Sequence, residues 1–582
     1  MTDRIDWLPF ESTSLQKAKD ADRLLVMVLT VPWCNHCKDL LAHSFADARV
    51  AKLVQEHFVP VLVDAERRPD VNERYGSGGW PTIAFLTPDG ELIVNDNHLG
   101  PTELAQRLER VLKVWREQRA DIQQGLRDLV AHRRGPEATV RGRLSRQMVD
   151  DITLAIYEKF DHRYGGFGDA AKFPHPEVLD FALVQAAKRD DDQMREVVTV
   201  TLDHMLASPL HDQVDGGFFR FSKTPDWRSP NFEKLLEVNA RVLRAYIEAY
   251  QLFGEPAYRK TAEGIVDWML QFLRDPETGA FFGSQDADSD YYGLDRARRT
   301  KRNPPKVDRT IHCQANALVV SNMLKAGIVL ERPEWIDAAV TTLNFLTQEL
   351  FDGRSVFHYW DGTYHLPGML ADQACLIRAL IDASQITGNA DLLLPAEAIA
   401  EQAIRRQKAP GGGFYDILHD PGAGATMRRR NRSILENSVM AESLLRLSYL
   451  SRRPEFLAEA VQTLESFAND YKEYGYYVAG FGRAVDLVLY EPLLLTIVGE
   501  RDSAAAQALR QAALSTYLPS RMVQILDPRH DPVLIGRGGY KVEAQPVVYV
   551  TVGRSTRQVA RSPEQLSTAV EQIEWERRSK LR

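Results

Sequence analysis

The sequence holds four cysteines, Cys34, Cys37, Cys313 and Cys375, and two of them form a Cys-x-x-Cys within Trp33-Cys34-Asn35-His36-Cys37-Lys38. The preceding run, Leu24 to Thr30, is continuously apolar, as in a strand buried on both faces, and the next residues to about Val54 read as helix. A cysteine at such a junction sits at a helix N-terminus, where unpaired N–H groups and the dipole favour an anion. Cys34 is therefore the candidate nucleophilic thiolate, and Cys37, one turn on, is placed to resolve a mixed disulfide. A cationic His36 would further stabilise that thiolate. Trp33 and Pro81, the latter within Gly78-Gly79-Trp80-Pro81-Thr82, complete the candidate redox site. A zinc site would need another Cys or His pair at suitable spacing, and none is present, so neither a metal nor a cofactor is expected. The expected partner is a disulfide-bearing protein or a small thiol. Cys313 and Cys375 fall in apolar helical stretches and read as buried, inert thiols.

The elements that must position this pair read as β, α, β, Pro, β, β, α over residues 1–117, an α/β head. Residues 118–143 read as a helical linker ending in a break at Gly135-Pro136. From 144 to 515 the pattern becomes helical throughout. A small aromatic turn recurs at intervals of roughly 50–75 residues: Gly165-Gly166-Phe167, Gly216-Gly217-Phe218, Gly279-Ala280-Phe281, Ser355-Val356-Phe357, Gly412-Gly413-Phe414 and Tyr474-Gly475-Tyr476. Inner helices are expected after each turn, at 176–188, 232–253, 312–330, 370–387, 436–451 and 483–498, each followed by an outer partner, the last at 502–514. Six such hairpins close into an all-α (α/α)6 barrel; an open solenoid is the alternative. Residues 516–582, with strands at Met522–Leu526 and Val547–Val552, read as a small α/β appendage.

In a six-hairpin ring the residues just after the turns meet at one mouth. Lys172, Trp227, Glu233, Asp286, Asp288, Asp372 and Glu436 are the candidate barrel site. Carboxylates among aromatics suit a sugar-like ligand, and paired carboxylates such as Asp286 and Asp288 could do acid–base work. The same residue types serve equally as helix caps and buried hydrogen-bond partners. The basic runs Arg296 to Arg302 and Arg428 to Arg430 read as solvated loops.

Composition narrows the classes. Over 582 residues, 44% hydrophobic and 26% charged content is ordinary for a folded globular chain. A net charge of −8 argues against a general nucleic-acid binder. No apolar run is long enough for a membrane span, and Met1 to Phe10 does not read as a secretory signal, so a cytoplasmic location is expected.

The stretch SFADARVAKLVQEHFVPVLVDAERRPDV followed by GGWPTIAFLTPDG, then GGFGDAAKFPHP, DGGFFRFSKTPDWRSPNFEKLLEVNA, SQDADS and GGGFYD, resembles the spermatogenesis-associated protein 20-like family. That resemblance implies a multidomain chain: an α/β thioredoxin fold followed by a six-hairpin (α/α)6 barrel related in fold to N-acylglucosamine 2-epimerase. In a thioredoxin fold the proline opposite the dithiol is cis. The implied function is thiol–disulfide oxidoreductase activity in the head, with a barrel that binds a partner or sugar-like ligand. A barrel epimerase, isomerase or glycoside-active enzyme, or a non-catalytic scaffold or redox sensor, are the alternatives. The chain departs from the family where CHWCH becomes Trp33 to Lys38, where a family histidine and acid become Asn231 and Val238, and where two C-terminal cysteines become Thr551 and Thr556. Many thioredoxins bury an acid six residues before the first cysteine; here that position is Val28.

Overall fold

Six of the seven residues of Leu24–Thr30 are buried, and this run is the central strand of the first sheet. The computed structural model describes residues 5–133, 141–420 and 426–579. The chain divides into two units, one of Met1–Ala138 with Asp416–Asn431, the other of Thr139–Tyr415 with Arg432–Arg582.

In the first unit the order is α1 (Ser12–Asp20), β1 (Leu24–Thr30), α2 (Asn35–Asp39), α3 (Ala48–His57), β2 (Phe58–Asp64), α4 (Pro69–Tyr75), β3 (Thr82–Leu86), β4 (Leu92–Asp96) and α5 (Pro101–Arg133). The sheet runs β2-β1-β3-β4, with β1 parallel to β2 and antiparallel to β3. Side chains alternate between the two faces of β1. Val26 and Val28 meet Phe45, Val54 and Leu104 on one face, while Leu25, Met27 and Leu29 meet Val71 and Tyr75 on the other. This is the expected thioredoxin-type order. Helix α5 bends at Gln118 and continues to Arg133, so the 118–143 stretch is helical that far. The expected break at Gly135-Pro136 lies outside the described residues.

One segment assigned to the barrel from sequence belongs to the first unit instead. Met427 joins the core face of Tyr75, and the fully buried Arg74 guanidinium donates to Asp416 at 3.0 Å and to the Arg429 carbonyl at 2.8 Å. A buried guanidinium needs several acceptors, and a returning strand of backbone supplies them. The Arg428 and Arg429 side chains remain exposed, as expected of a solvated run.

Among the described residues, the second unit is built on twelve main helices. The first five are α6 (Arg146–Lys159), α7 (Pro176–Arg189), α8 (Asp192–Ala207), α9 (Leu236–Phe253) and α10 (Pro256–Trp268). After the short α11 (Ser289–Tyr292) and α12 (Arg296–Arg299) come α13 (Cys313–Val329), α14 (Pro333–Glu349), α15 (Leu370–Thr387), α16 (Leu393–Gln407), α17 (Ile434–Ser451), α18 (Pro454–Glu465) and α19 (Ala479–Leu489). Proline opens α7, α10, α14 and α18 at the position where its missing N–H costs nothing. Helices α7, α9, α13, α15, α17 and α19 each pack on the next, and α19 returns to α7, which closes the ring. Helices α8, α10, α14, α16 and α18 form the outer layer with α6, which packs on α19.

The sixth hairpin is therefore completed by α6, not by 502–514. The last inner helix ends at Leu489, and Leu493–Val498, expected as its continuation, is a fully buried strand. An all-apolar run of six reads equally as buried helix or buried strand, and tertiary pairing decides. The appendage thus begins before 516. Its sheet orders strands 521–526, 493–498, 547–552 and 555–560, the central strand parallel to the first and antiparallel to the third. This repeats the strand order and directions of the first unit's sheet. Pro546 precedes the third strand as Pro81 precedes β3, and no cysteine comes after the central strand. Thr551 and Thr556 face each other across the last hairpin, their Oγ1 atoms 3.4 Å apart. The appendage closes the C-terminal ends of the inner helices: Gln385 accepts from the Val523 N–H at 2.8 Å, and Gln524 donates to the Leu450 carbonyl at 2.8 Å.

The recurring turns are held by one device. Asn239 accepts from the Phe218 N–H at 2.7 Å and donates to the Phe218 carbonyl at 2.9 Å and the Leu235 carbonyl at 3.0 Å. Asn316 does the same for Phe281 and His312 at 2.7, 2.9 and 2.9 Å, and Asn437 for Phe414 and Ser433 at 2.6, 2.9 and 2.8 Å. Each asparagine is the fourth residue of its inner helix, fully buried, and satisfies both backbone groups of the turn aromatic. Glycine before the aromatic is a steric need. Gly216 has φ 81°, and a Cβ there would lie 2.2 Å from the Gly264 carbonyl oxygen. In the fourth hairpin the bridging residue is Val356 rather than Phe357, and Gln373 stands at the clamp position, donating to Gln407.

Replacing Asn239 or Asn437 with alanine strands a buried N–H and a buried carbonyl, so urea denaturation should show a loss of about 2–4 kcal/mol. Asn344→Ala, on the exposed face of α14, should stay within about 0.5 kcal/mol.

Candidate functional site

The dithiol lies where β1 hands over to α2. Cys34 is the N-cap residue of α2, with extended backbone (φ −85°, ψ 113°), and its Sγ accepts from the Cys37 N–H at 3.1 Å. Helix geometry thus presents an unpaired N–H to sulfur, the arrangement that favours a thiolate. Cys34 is 8% exposed and Cys37 2%, and both are thiols. The hydrogen bond to Cys34 and burial push the Cys37 thiol far above its usual range. The proton therefore stays on Cys37 and any negative charge collects on Cys34.

The Trp80–Pro81 peptide is cis, and the Cys34 sulfur lies 3.9 Å from the Trp80 carbonyl oxygen. Trp33 packs edge-on against Trp80 with ring centres 5.7 Å apart, and its Nε1 donates to Glu66 at 2.8 Å. The Trp80 ring is held in turn by Asn72 at 3.1 Å. Two indoles anchored to separate acceptors form a rigid wall around the sulfur. His36 is exposed, its ring edge toward His98. His98 and His43 both bond Asp39, at 2.9 and 2.8 Å, and with the His98 bond leading they hold that carboxyl below the usual range. Sequence reading found Cys34, Cys37, Trp33, His36 and Pro81, which the fold brings to one edge of the sheet. It missed Glu66, Asp39 and His98, which no local spacing connects to the dithiol.

The candidate barrel residues are mostly committed to the scaffold. The Lys172 ammonium is fully buried and donates to Asp161 at 2.8 Å and the Gly165 carbonyl at 2.9 Å, tying the first turn; burial lowers its pKa. Trp227 is buried beneath Gly166 and donates to the Tyr164 carbonyl at 2.8 Å. Asp288 caps α11 by accepting from the Tyr291 N–H at 2.8 Å, and the Asp286 N–H is bonded to the Lys306 carbonyl at 2.8 Å. Asp372, fully buried, accepts from the Gln314 N–H at 2.9 Å and bonds His358 Nδ1 at 2.8 Å. Glu436, half-buried, lies in the first turn of α17, which Ser433 caps. Glu233 is 3% exposed; one oxygen accepts from Asn231 at 2.7 Å and Arg220 at 3.3 Å, and the other, Oε2, has no hydrogen bond. Of the seven, Glu233 alone combines full burial of the residue with an orphan oxygen.

The run Arg296 to Arg302 is only partly solvated. Arg299 is buried and pairs with Asp212 at 2.8 Å and Asp215 at 2.7 Å. Asp212 also receives Lys234 at 2.6 Å, and burial brings that lysine down to about 8. Sequence reading also missed a charged axis inside the ring, where Asp180 receives Arg244 at 3.3 Å and Arg483 at 3.5 Å.

Residues 1–133 match a thioredoxin-like DsbH family model described as a protein of unknown function, DUF255. Human spermatogenesis-associated protein 20 is 24% identical over 90% of this chain and 84% of its own. The chain is similar to spermatogenesis-associated protein 20 along most of its length. Protein disulfide isomerase-like 2-2 of Oryza sativa subsp. japonica is 36% identical over 77 residues, 13% of this chain and 19% of its own. Among solved structures, a D-mannose isomerase covers 59% of this chain and 97% of its own at 11% identity and a TM-score of 0.49. The thioredoxin-like head and the closed helical ring of this protein are both evident in its own strand pairing and helix contacts.

Lys172→Met leaves Asp161 without its buried cation and should cost roughly 3–5 kcal/mol in urea denaturation. Disulfide reduction by the folded variant should match the wild type, which separates a structural lysine from a catalytic one.

Proposed function

We propose that the first unit is a thiol–disulfide oxidoreductase in which Cys34 is the nucleophile and Cys37 the resolving thiol. The observation that carries this reading is the Cys34 sulfur at the N-cap of α2, taking the Cys37 N–H at 3.1 Å beside the carbonyl of a cis Trp80–Pro81 peptide. The Cys34 thiolate attacks one sulfur of a substrate disulfide. The substrate S–S bond breaks, a Cys34 mixed disulfide forms, and the departing thiolate takes a proton from water. Cys37 then loses its proton and attacks Cys34 Sγ, which closes a Cys34–Cys37 disulfide and expels the second substrate thiol. The substrate gains two electrons, and an external thiol reductant restores the dithiol.

The partner class is a disulfide-bearing protein or a small thiol. Extended chain presented to the Trp80 carbonyl would be held by backbone hydrogen bonding, which is independent of sequence. Val28 is buried among apolar residues, so the strand offers no carboxylate to take the Cys37 proton at that position. The ring's part in this reading is to bind a partner or sugar-like ligand. Support comes from Glu233 and from Phe173, 37% exposed and stacked on Phe221 at 4.7 Å, an apolar platform of the kind a sugar ring covers. A location in the cytoplasm fits a dithiol maintained by thiol reductants. No described helix is long and apolar enough to cross a membrane.

Cys34→Ser should abolish reduction of insulin disulfides by the full chain in the presence of dithiothreitol. Cys37→Ser should accumulate a mixed disulfide that non-reducing electrophoresis displays and dithiothreitol dissolves. Wild-type turnover no faster than dithiothreitol alone would sink the reading.

A further inference from the structure

The axis of the ring holds two adjoining cavities, of about 70 and 110 Å³. All six inner helices line the first, and Arg244, Glu442 and Arg483 line both. The second extends toward the C-terminal ends of the helices, where Tyr517 and Arg521 of the appendage form part of its wall. A buried water needs roughly 10–15 Å³ of such space, so the larger cavity has room for a small solute.

The charges here are unusual for the centre of an all-α core. Seven cationic and five anionic side chains line the two cavities, which leaves two positive charges in excess. Most carboxylates are already engaged. Asp180 pairs with Arg244 and Arg483, Glu248 with Arg244 and Lys325, and Asp382 with Arg446. Glu442 is shared between Arg378, Arg446 and Arg483, which hold its carboxyl below the usual range against burial. The cations are not matched in return. Arg378 makes no hydrogen bond or ion pair among the described residues, and its buried Nε is an orphan. Arg483 is 6% exposed, and its Nη1 also has no hydrogen bond. Burial and the neighbouring Arg244 make the charged form of Arg378 harder to hold. Unpaired guanidinium donors out of bulk water are costly unless an acceptor arrives, and a planar fork of donors fits a carboxylate or phosphate.

We infer that the axial cavity of the ring binds a small ligand through an oxyanion group, a phosphate ester or a carboxylate, with Arg378 and Arg483 as the donors that it satisfies. This site is distinct from Glu233 and the exposed aromatic pair, and it does not depend on the dithiol. It gives the ring a ligand that a neutral sugar would not replace. The appendage closes the cavity floor, so its packing on the helix ends and the bound anion stabilise each other.

The test uses the full chain. Inorganic phosphate is titrated against thermal unfolding and by calorimetry at constant ionic strength, with glucose 6-phosphate, glucuronate and glucose as parallel probes. Saturable binding of phosphate, glucose 6-phosphate or glucuronate, without binding of glucose, is expected. The two charged sugars separate phosphate from carboxylate recognition. Arg378→Gln should weaken that binding at least tenfold, and Arg378→Lys should recover part of it. Circular dichroism and urea denaturation confirm that each variant is folded. Cys34→Ser should bind as the wild type does, which keeps this result independent of the redox reading. Absence of saturable binding in the wild type, equal binding of glucose, or unchanged affinity in folded Arg378→Gln would overturn the inference.

Discussion

The second unit depends on a buried amide. Asn239, Asn316 and Asn437 each close both backbone groups of a turn aromatic and one carbonyl of the preceding turn of their own helix. An aromatic plug brings apolar area into the ring, but it also brings a peptide group that cannot reach water. The asparagine resolves that conflict, since its side chain is the one neutral donor–acceptor of the right length at that helix position. Lys172 and Lys234 do related work one layer out, where each ammonium bonds an aspartate and a glycine carbonyl of the same turn. Ring closure, helix entry and turn conformation are thereby one network repeated around the axis.

Legibility from sequence tracked the range of the interaction. The head was readable because its signals are local: an apolar run, Cys-x-x-Cys, then Trp-Pro and a Pro-Asp-Gly turn. The ring was readable from the glycine-aromatic repeat, whose steric need leaves a mark in residue type. The assignment of its last hairpin failed at Leu493–Val498, where six apolar residues fit helix and strand equally, and only pairing with 521–526 and 547–552 decides. Residues 416–431 were misplaced because the guanidinium that captures them, Arg74, is more than 340 residues away in the chain. The barrel candidates were chosen by type, and type does not distinguish a lysine that ties a turn from one that faces a ligand. The charged axis was overlooked for the converse reason. Arg244, Arg378 and Arg483 sit singly within apolar helices, and only ring closure gathers them.

The two α/β sheets of this protein share strand order and direction, yet they have diverged to different tasks. At the head, the loop after the central strand carries a dithiol and faces a cis proline. In the appendage the corresponding loop begins at Gly499, whose Cα lies so near Pro546 that an added Cβ would come within 2.8 Å of it. That close approach leaves no room for a reactive side chain. The sheet is used as a lid on the helix ends. One architecture thus supplies a reaction centre in one place and mechanical closure in another, with the difference confined to a single loop at the end of the central strand.

The asparagine clamp has a consequence for how such rings diversify. The same geometry joins residues 21, 35 and 23 positions apart in three hairpins. The clamp constrains only the two ends of each intervening loop, and the entropy of closing a longer loop rises slowly with its length. The segments between turn and helix can therefore lengthen, shorten or be exchanged while the ring stays intact. Evolution, or an engineer, can rewrite the mouth of this barrel one hairpin at a time, with each edit insulated from its neighbours by a single amide.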